Sequence, residues 1–186
     1  MKQEALRERL LLEIDLLTAD VMAVVKDLSP DQRSWRPPAG GWTLEQLIEH
    51  VVAAADSYLT PIRRLIYKPG AAVTHPDRTE WAPTWTGAKL VDVLRSPRKL
   101  SAWKVHRVDG TPRPDVVKAF LGRQETTVTL MRAAADLDWN LLRFRSPVMW
   151  LIRLNLGDGF TVIVVHGQRH ALQMERLRDL PGFPRS

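Results

Sequence analysis

Cysteine is absent from this 186-residue chain. That absence removes disulfides, thiolate metal ligands and a cysteine nucleophile together. Any metal must rest on nitrogen and oxygen, and the redox compartment is left open. Long apolar runs are also missing, for none approaches the roughly 20 residues that a membrane-spanning helix needs. The stretch Met1-Lys2-Gln3-Glu4-Ala5-Leu6-Arg7-Glu8 is charged throughout and lacks the apolar core of a signal peptide. A cytoplasmic protein with no membrane partner is the expectation. No glycine-rich phosphate loop and no dinucleotide or flavin fingerprint occurs, so no organic cofactor is implied.

Acidic charge is in deficit, with 21 Asp and Glu against 27 Lys and Arg, which gives a net charge of +6. Lysine and arginine that neutralise phosphates would serve a nucleic acid. Here the basic residues are spread from Arg7 to Arg185, and the densest cluster is only Arg95-Ser96-Pro97-Arg98-Lys99. No helix-turn-helix or zinc-finger pattern accompanies them, so a solvated basic surface is expected rather than a nucleic-acid partner.

What is present is ordinary for a globular chain: 45% apolar and 26% charged residues. This length buries roughly 70% of its unfolded surface in one core, so residues 1–186 are read as a single domain. Leu6, Leu10, Ile14, Leu17, Val21, Val24 and Leu28 recur at steps of three and four, which predicts a long first helix stopped by Ser29-Pro30. A proline- and glycine-rich linker to Gly41 follows, with Trp35 and Trp42 as anchors. The second helix opens at Thr43 with a capping box closed by Gln46, and its buried side runs from Leu44 to Leu59, up to about Tyr67. Pro61 is expected to kink it or to end its first part.

Residues 68–113 read as a long irregular crossover with one short helix over Gly87 to Arg95 and with Trp81, Trp85 and Trp103. Such a stretch either covers a functional site or is pinned by its tryptophans against the bundle. A third helix begins at Pro114, at a position suited to a first turn, and runs to Ala135. Trp139 to Leu156 is a connection, in which Val148 to Ile152 suggests a packed short helix or extended piece. Gly157-Asp158-Gly159 leads into a last helix that Pro181 closes. Four long helices with extended connections make an all-α four-helix bundle the expected architecture.

Two of the five histidines, His166 and His170, stand four residues apart in the last helix. That step places their Cβ atoms about 5–6 Å apart on one face, where one divalent ion can bridge both rings. The same spacing also arises in helices that bind nothing. The zincin pattern H-E-x-x-H is not present, because Gly167 stands where its glutamate would be. A catalytic zinc usually takes three protein ligands. His50 lies between Leu47 and Val51 on the apolar side of the second helix, the position of an ordinary core histidine. It becomes a candidate third ligand if the second and last helices face each other. His75 and His106 lack helical partners and are read as surface residues.

Gly41-Trp42-Thr43-Leu44-Glu45-Gln46-Leu47-Ile48-Glu49-His50 opens the second helix, and His166-Gly167-Gln168-Arg169-His170-Ala171-Leu172-Gln173-Met174 lies in the last, with Ser146-Pro147 to Gly157 ahead of it. In these segments and their order the chain resembles the DinB/YfiT-like metalloenzyme superfamily over essentially its whole length. The resemblance implies a four-helix bundle in which a histidine of the second helix and an HxxxH pair of the last converge on a divalent metal. Carried over, the ligands are His50, His166 and His170. It further implies zinc or nickel as the ion, a homodimer, and a small-molecule substrate with a low-molecular-weight thiol as a second partner.

Three neutral histidines leave the Lewis acidity of a bound ion largely intact, which suits a thiol transferase or a hydrolase acting on a small electrophile. The alternative is a catalytically silent bundle that binds a metal or ligand in a stress response. For the chemistry around the ion, Glu49 should point away from His50 into solvent. Gln46 and Gln173 each lie one turn from a ligand, and for Gln46 capping is the stronger role. Asp56 and Asp158 are possible acids with nothing further to support them. Trp42 and Tyr58, with the crossover tryptophans, are either an apolar wall for substrate or packing.

Overall fold

The computed structural model describes residues 1–97, 108 and 110–185. Trp103, His106 and the end of the basic cluster, Arg98 and Lys99, lie outside them. The elements run α1 (Gln3–Val25), α2 (Pro30–Ser34), α3 (Leu44–Ile66), α4 (Trp85–Arg95), α5 (Val116–Ala133), β1 (Arg143–Arg145), β2 (Arg153–Asn155) and α6 (Leu156–Arg178). The four long helices α1, α3, α5 and α6 form the bundle. Both α1 and α3 pack against α5 and α6, which closes a ring in the order α1, α6, α3, α5. The all-α expectation therefore holds, with one two-stranded hairpin added. No described helix is long and apolar enough to cross a membrane.

The stripe of α1 is buried as its spacing demands, with Leu6 and Leu10 fully inaccessible and Ile14, Leu17, Val21 and Val24 nearly so. In α3 the predicted capping box is present. Thr43 Oγ1 accepts from the Gln46 backbone N–H, and Gln46 Oε1 accepts from the Thr43 backbone N–H, both at 3.2 Å. The helix neither stops nor divides at Pro61 but continues to Ile66, with Tyr58 and Leu59 buried before the proline and Ile62 and Ile66 buried after it.

Several connections depart from expectation. The linker after α1 contains α2, whose own capping box joins Ser29 and Gln32. The sequence Ser29-Pro30-Asp31-Gln32 carried that signal beneath its prolines. α4 starts at Trp85 rather than Gly87, since Thr84 caps it by accepting from Gly87 N–H at 2.9 Å. α5 starts two residues after Pro114. The connection from Trp139 is a hairpin in which Phe144 faces Leu154. The packed piece expected over Val148 to Ile152 is its loop, and Trp150 and Leu151 stand in solvent.

The largest difference is at the start of α6. Gly157, Asp158 and Gly159 lie inside the helix, which Asn155 caps in a third capping box with Asp158. Glycine at 157 answers a close approach: an added Cβ would overlap the indole of Trp81, whose Nε1 donates to Asn155 Oδ1 at 3.2 Å. Trp81 thus pins the crossover to the head of α6. Leu156 to Val165 are all buried, because α6 is flanked by α1, α3 and α4 at once.

Candidate metal centre

The facing of α3 and α6 is what brings the histidines together. Stepping back by fours from Tyr58 places Ala54 and His50 on one face of α3, and the same step places Val162, His166 and His170 on the opposing face of α6. Each of the three histidines offers one ring nitrogen to a cluster in which those atoms all lie within 4.8 Å of one another. Ring centroids are 4.6 Å apart for His50–His170 and His166–His170, and 5.0 Å apart for His50–His166. His50 and His170 are buried and His166 is half-buried.

The donor set fits a divalent ion. Nε2 of His50 and Nε2 of His166 are 3.2 Å apart. Two imidazole nitrogens on one tetrahedral ion, each about 2.0–2.1 Å from it, stand about 3.3–3.4 Å apart. His170 Nδ1 lies 3.1 Å from Gln173 Oε1. An amide oxygen only accepts, so Nδ1 carries the proton and donates, which leaves the lone pair on Nε2. Burial, with the neighbouring His50 adding to it, pushes His170 down to about 3, so the ring is neutral at pH 7 and keeps that lone pair. The Trp42 indole lies against His50, with ring centroids 4.8 Å apart and planes tilted by 44°.

Gly167 shows why a zincin glutamate has no place here. Its Cα faces α1, and a Cβ would come to 2.5 Å from Leu17 Cδ2. Any side chain at 167 would therefore be driven into the α1 interface and away from the histidines.

Other residues singled out in the sequence fall into place around this cluster. Gln173 is the partner of His170, whereas the amide of Gln46 is spent on capping, on Arg36 (2.9 Å) and on the Gly110 carbonyl (3.3 Å). Glu49 does point away from His50, but it is not free in solvent. Both of its oxygens accept from the Arg113 guanidinium at 2.7 and 2.8 Å, which ties the approach to α5 onto α3 and holds the carboxyl below its usual range. This partner comes from 64 residues away, beyond the reach of helical periodicity. Asp56 is bonded to Arg123 of α5. Asp158 is buried at the head of α6, where it accepts from Thr84 Oγ1 at 2.7 Å and from the backbone N–H of Thr84 and Asn155. Burial raises its carboxyl, and eight residues of helix, about 12 Å, separate it from His166. His75 is exposed, as read.

The cluster opens on a cavity of about 710 Å³ between α3, α4 and α6. Val51, Ala54 and Ala55 wall one side, and Leu90, Val162 and Ile163 the other. Trp42 and Tyr58 line it, while Trp81 is packing and Trp85 stands exposed. Tyr58 sits two helical turns from His50, with its hydroxyl 3.4 Å from Ser146 Oγ, and burial pushes the phenol up. No curated protein and no solved structure matches the chain significantly. The DinB superfamily profile matches residues 13–174, a span that holds all three histidines, and the chain belongs to the DinB superfamily.

Proposed function

We propose that His50, His166 and His170 hold a divalent metal ion, zinc or nickel, and that the adjoining cavity is the substrate site of a thiol transferase or hydrolase acting on a small electrophile. The observation that carries this reading is the gathering of three ring nitrogens within 4.8 Å of one another at the wall of an apolar cavity. A dication bound there supplies Lewis acidity and a position at which a reacting group can be held. The chain's own residues supply the rest. Gln173 orients His170, Trp42 lies against His50, and the aliphatic wall holds an electrophile's body beside the cluster. In either reaction a nucleophile, a low-molecular-weight thiol or water, forms a bond to the electrophilic carbon and releases its proton, while the leaving group departs with the electron pair of the broken bond and takes up that proton or leaves it to solvent.

The test is elemental analysis of protein purified without a nickel column, followed by a screen of electrophiles with and without low-molecular-weight thiols. One equivalent of metal in wild type and much less in H170A is expected. Product formed only with thiol selects transfer over hydrolysis. Protein that stays metal-free after supplementation, with H170A equal to wild type in metal content and stability, refutes the reading.

A further inference from the structure

The charge around the cavity is one-sided. Arg95 at the end of α4 and Arg176 near the end of α6 both line it and are exposed. Among the described residues, neither has an ion-pair or hydrogen-bond partner. Arg169 adds a third guanidinium, held by the carbonyl oxygens of Leu94 (2.9 Å) and Ser96 (2.5 Å). No described lining residue is Asp or Glu. The acids of α3 on either side of His50 are engaged elsewhere, Glu49 with Arg113 and Asp56 with Arg123. A dication on three neutral imidazoles would add two further positive charges, with no carboxylate among the described lining residues to offset them.

An apolar cleft with two cations at its rim, Arg95 and Arg176, that have no acidic partner among the described residues draws anions and repels cations, since low-dielectric walls focus the field. Guanidinium pairs carboxylate and similar groups in a two-pronged fashion, which fixes orientation as well as charge. The volume lies within the range that encloses a small organic molecule.

From these features we propose that the cavity takes an amphiphilic anion, a small molecule whose carboxylate or comparable anionic group is paired by Arg95 and Arg176 and whose apolar body lies along Val51, Ala54, Ala55, Val162 and Ile163. The proposal rests on the reading of this cavity as the substrate site and names the class of substrate. Arg95 and Arg176 are then specificity residues, and the apolar walls set the length and girth of what enters.

Calorimetric titration of metal-free and zinc-loaded protein with hexanoate, hexylamine and hexanol separates the alternatives. Hexanoate should bind both forms, more tightly when zinc is present, and hexylamine should bind neither. The double variant R95Q/R176Q should lose hexanoate affinity about tenfold or more while keeping wild-type zinc affinity and melting temperature. The proposal is overturned if hexanoate fails to bind wild type, if hexylamine or hexanol binds as tightly, or if R95Q/R176Q keeps wild-type affinity for hexanoate in the metal-free form. A zinc titration run alongside keeps the two readings apart. Arginine-dependent hexanoate binding without zinc binding sinks only the metal reading, and the converse sinks only this one.

Discussion

Replacing Gln173 by Leu should weaken zinc binding about 10–100-fold without unfolding the protein, although Gln173 is not itself a ligand. The 3.1 Å bond from His170 Nδ1 to Gln173 Oε1 fixes both the ring's orientation and the tautomer that leaves Nε2 unprotonated. Loss of such an outer partner typically costs 10–100-fold in metal affinity, or about 1.4–2.7 kcal/mol. The effect on the metal-free fold is smaller. Gln173 is exposed, so water can replace it as acceptor, and a net contribution at or below about 0.5–1.5 kcal/mol is expected. Leucine is one atom shorter and removes the acceptor, whereas Q173E keeps an acceptor and adds charge, so affinities should run Q173L below wild type and Q173E at or above it. Competition against a chromophoric chelator gives the affinities. Nitrogen-15 NMR of the metal-free protein reads the tautomer of His170 directly, with Nδ1–H expected in wild type. A Q173L affinity within twofold of wild type, or a His170 ring protonated on Nε2 in wild type, would refute the reasoning.

Zinc should raise the melting temperature of wild type and leave H50A, H166A and H170A unmoved, because only the folded bundle assembles the three nitrogens. At free zinc one hundred times Kd the gain is about 2.7 kcal/mol, and excess chelator should reverse it. G157A should destabilise by about 1–3 kcal/mol in denaturant titration, since a methyl group at 157 overlaps the Trp81 indole. An unchanged midpoint would mean that Trp81 does not pin the crossover. E49Q should lower the melting temperature near neutral pH by releasing Arg113. Because Arg113 lowers the Glu49 carboxyl below 4.5 in the fold, its contribution is fully present above that value. It is lost as pH falls through the lower folded value, so wild type and E49Q should converge in acid. A difference that persists there would rule out the ion pair as its cause.

Helix α1 and the head of α3 were legible because their cues are local: a stripe at steps of three and four, and Thr43 with Gln46 in a capping box. The head of α6 begins at Leu156, ahead of the glycines that lead into it in the sequence, for an equally physical reason. Gly157 and Gly159 look like a break in one dimension, but glycine at 157 is required where Trp81, 76 positions earlier in the chain, presses against the helix. The loop tryptophans could not be sorted in sequence either, since Trp81, beside Glu80, is buried, while Trp150, within the apolar run Val148 to Ile152, is exposed. Composition likewise located the excess of positive charge without saying which arginines are paired.

For the site, the chain alone determined that His166 and His170 share a helical face, since a four-residue step is a property of the helix and needs no partner. It also determined that no thiolate could complete the set. Whether His50 is a core histidine or a third member of the cluster was decided only by the packing of α3 against α6, which brings together nitrogens 116 residues apart. Gln46 and Gln173 were settled locally, by the capping box with Thr43 and by the three-residue step to His170, whereas the tie from Glu49 to Arg113 needed the segment before α5 to lie against α3. Periodicity fixes the direction in which a side chain leaves its own helix, whereas what it meets depends on which helix lies opposite.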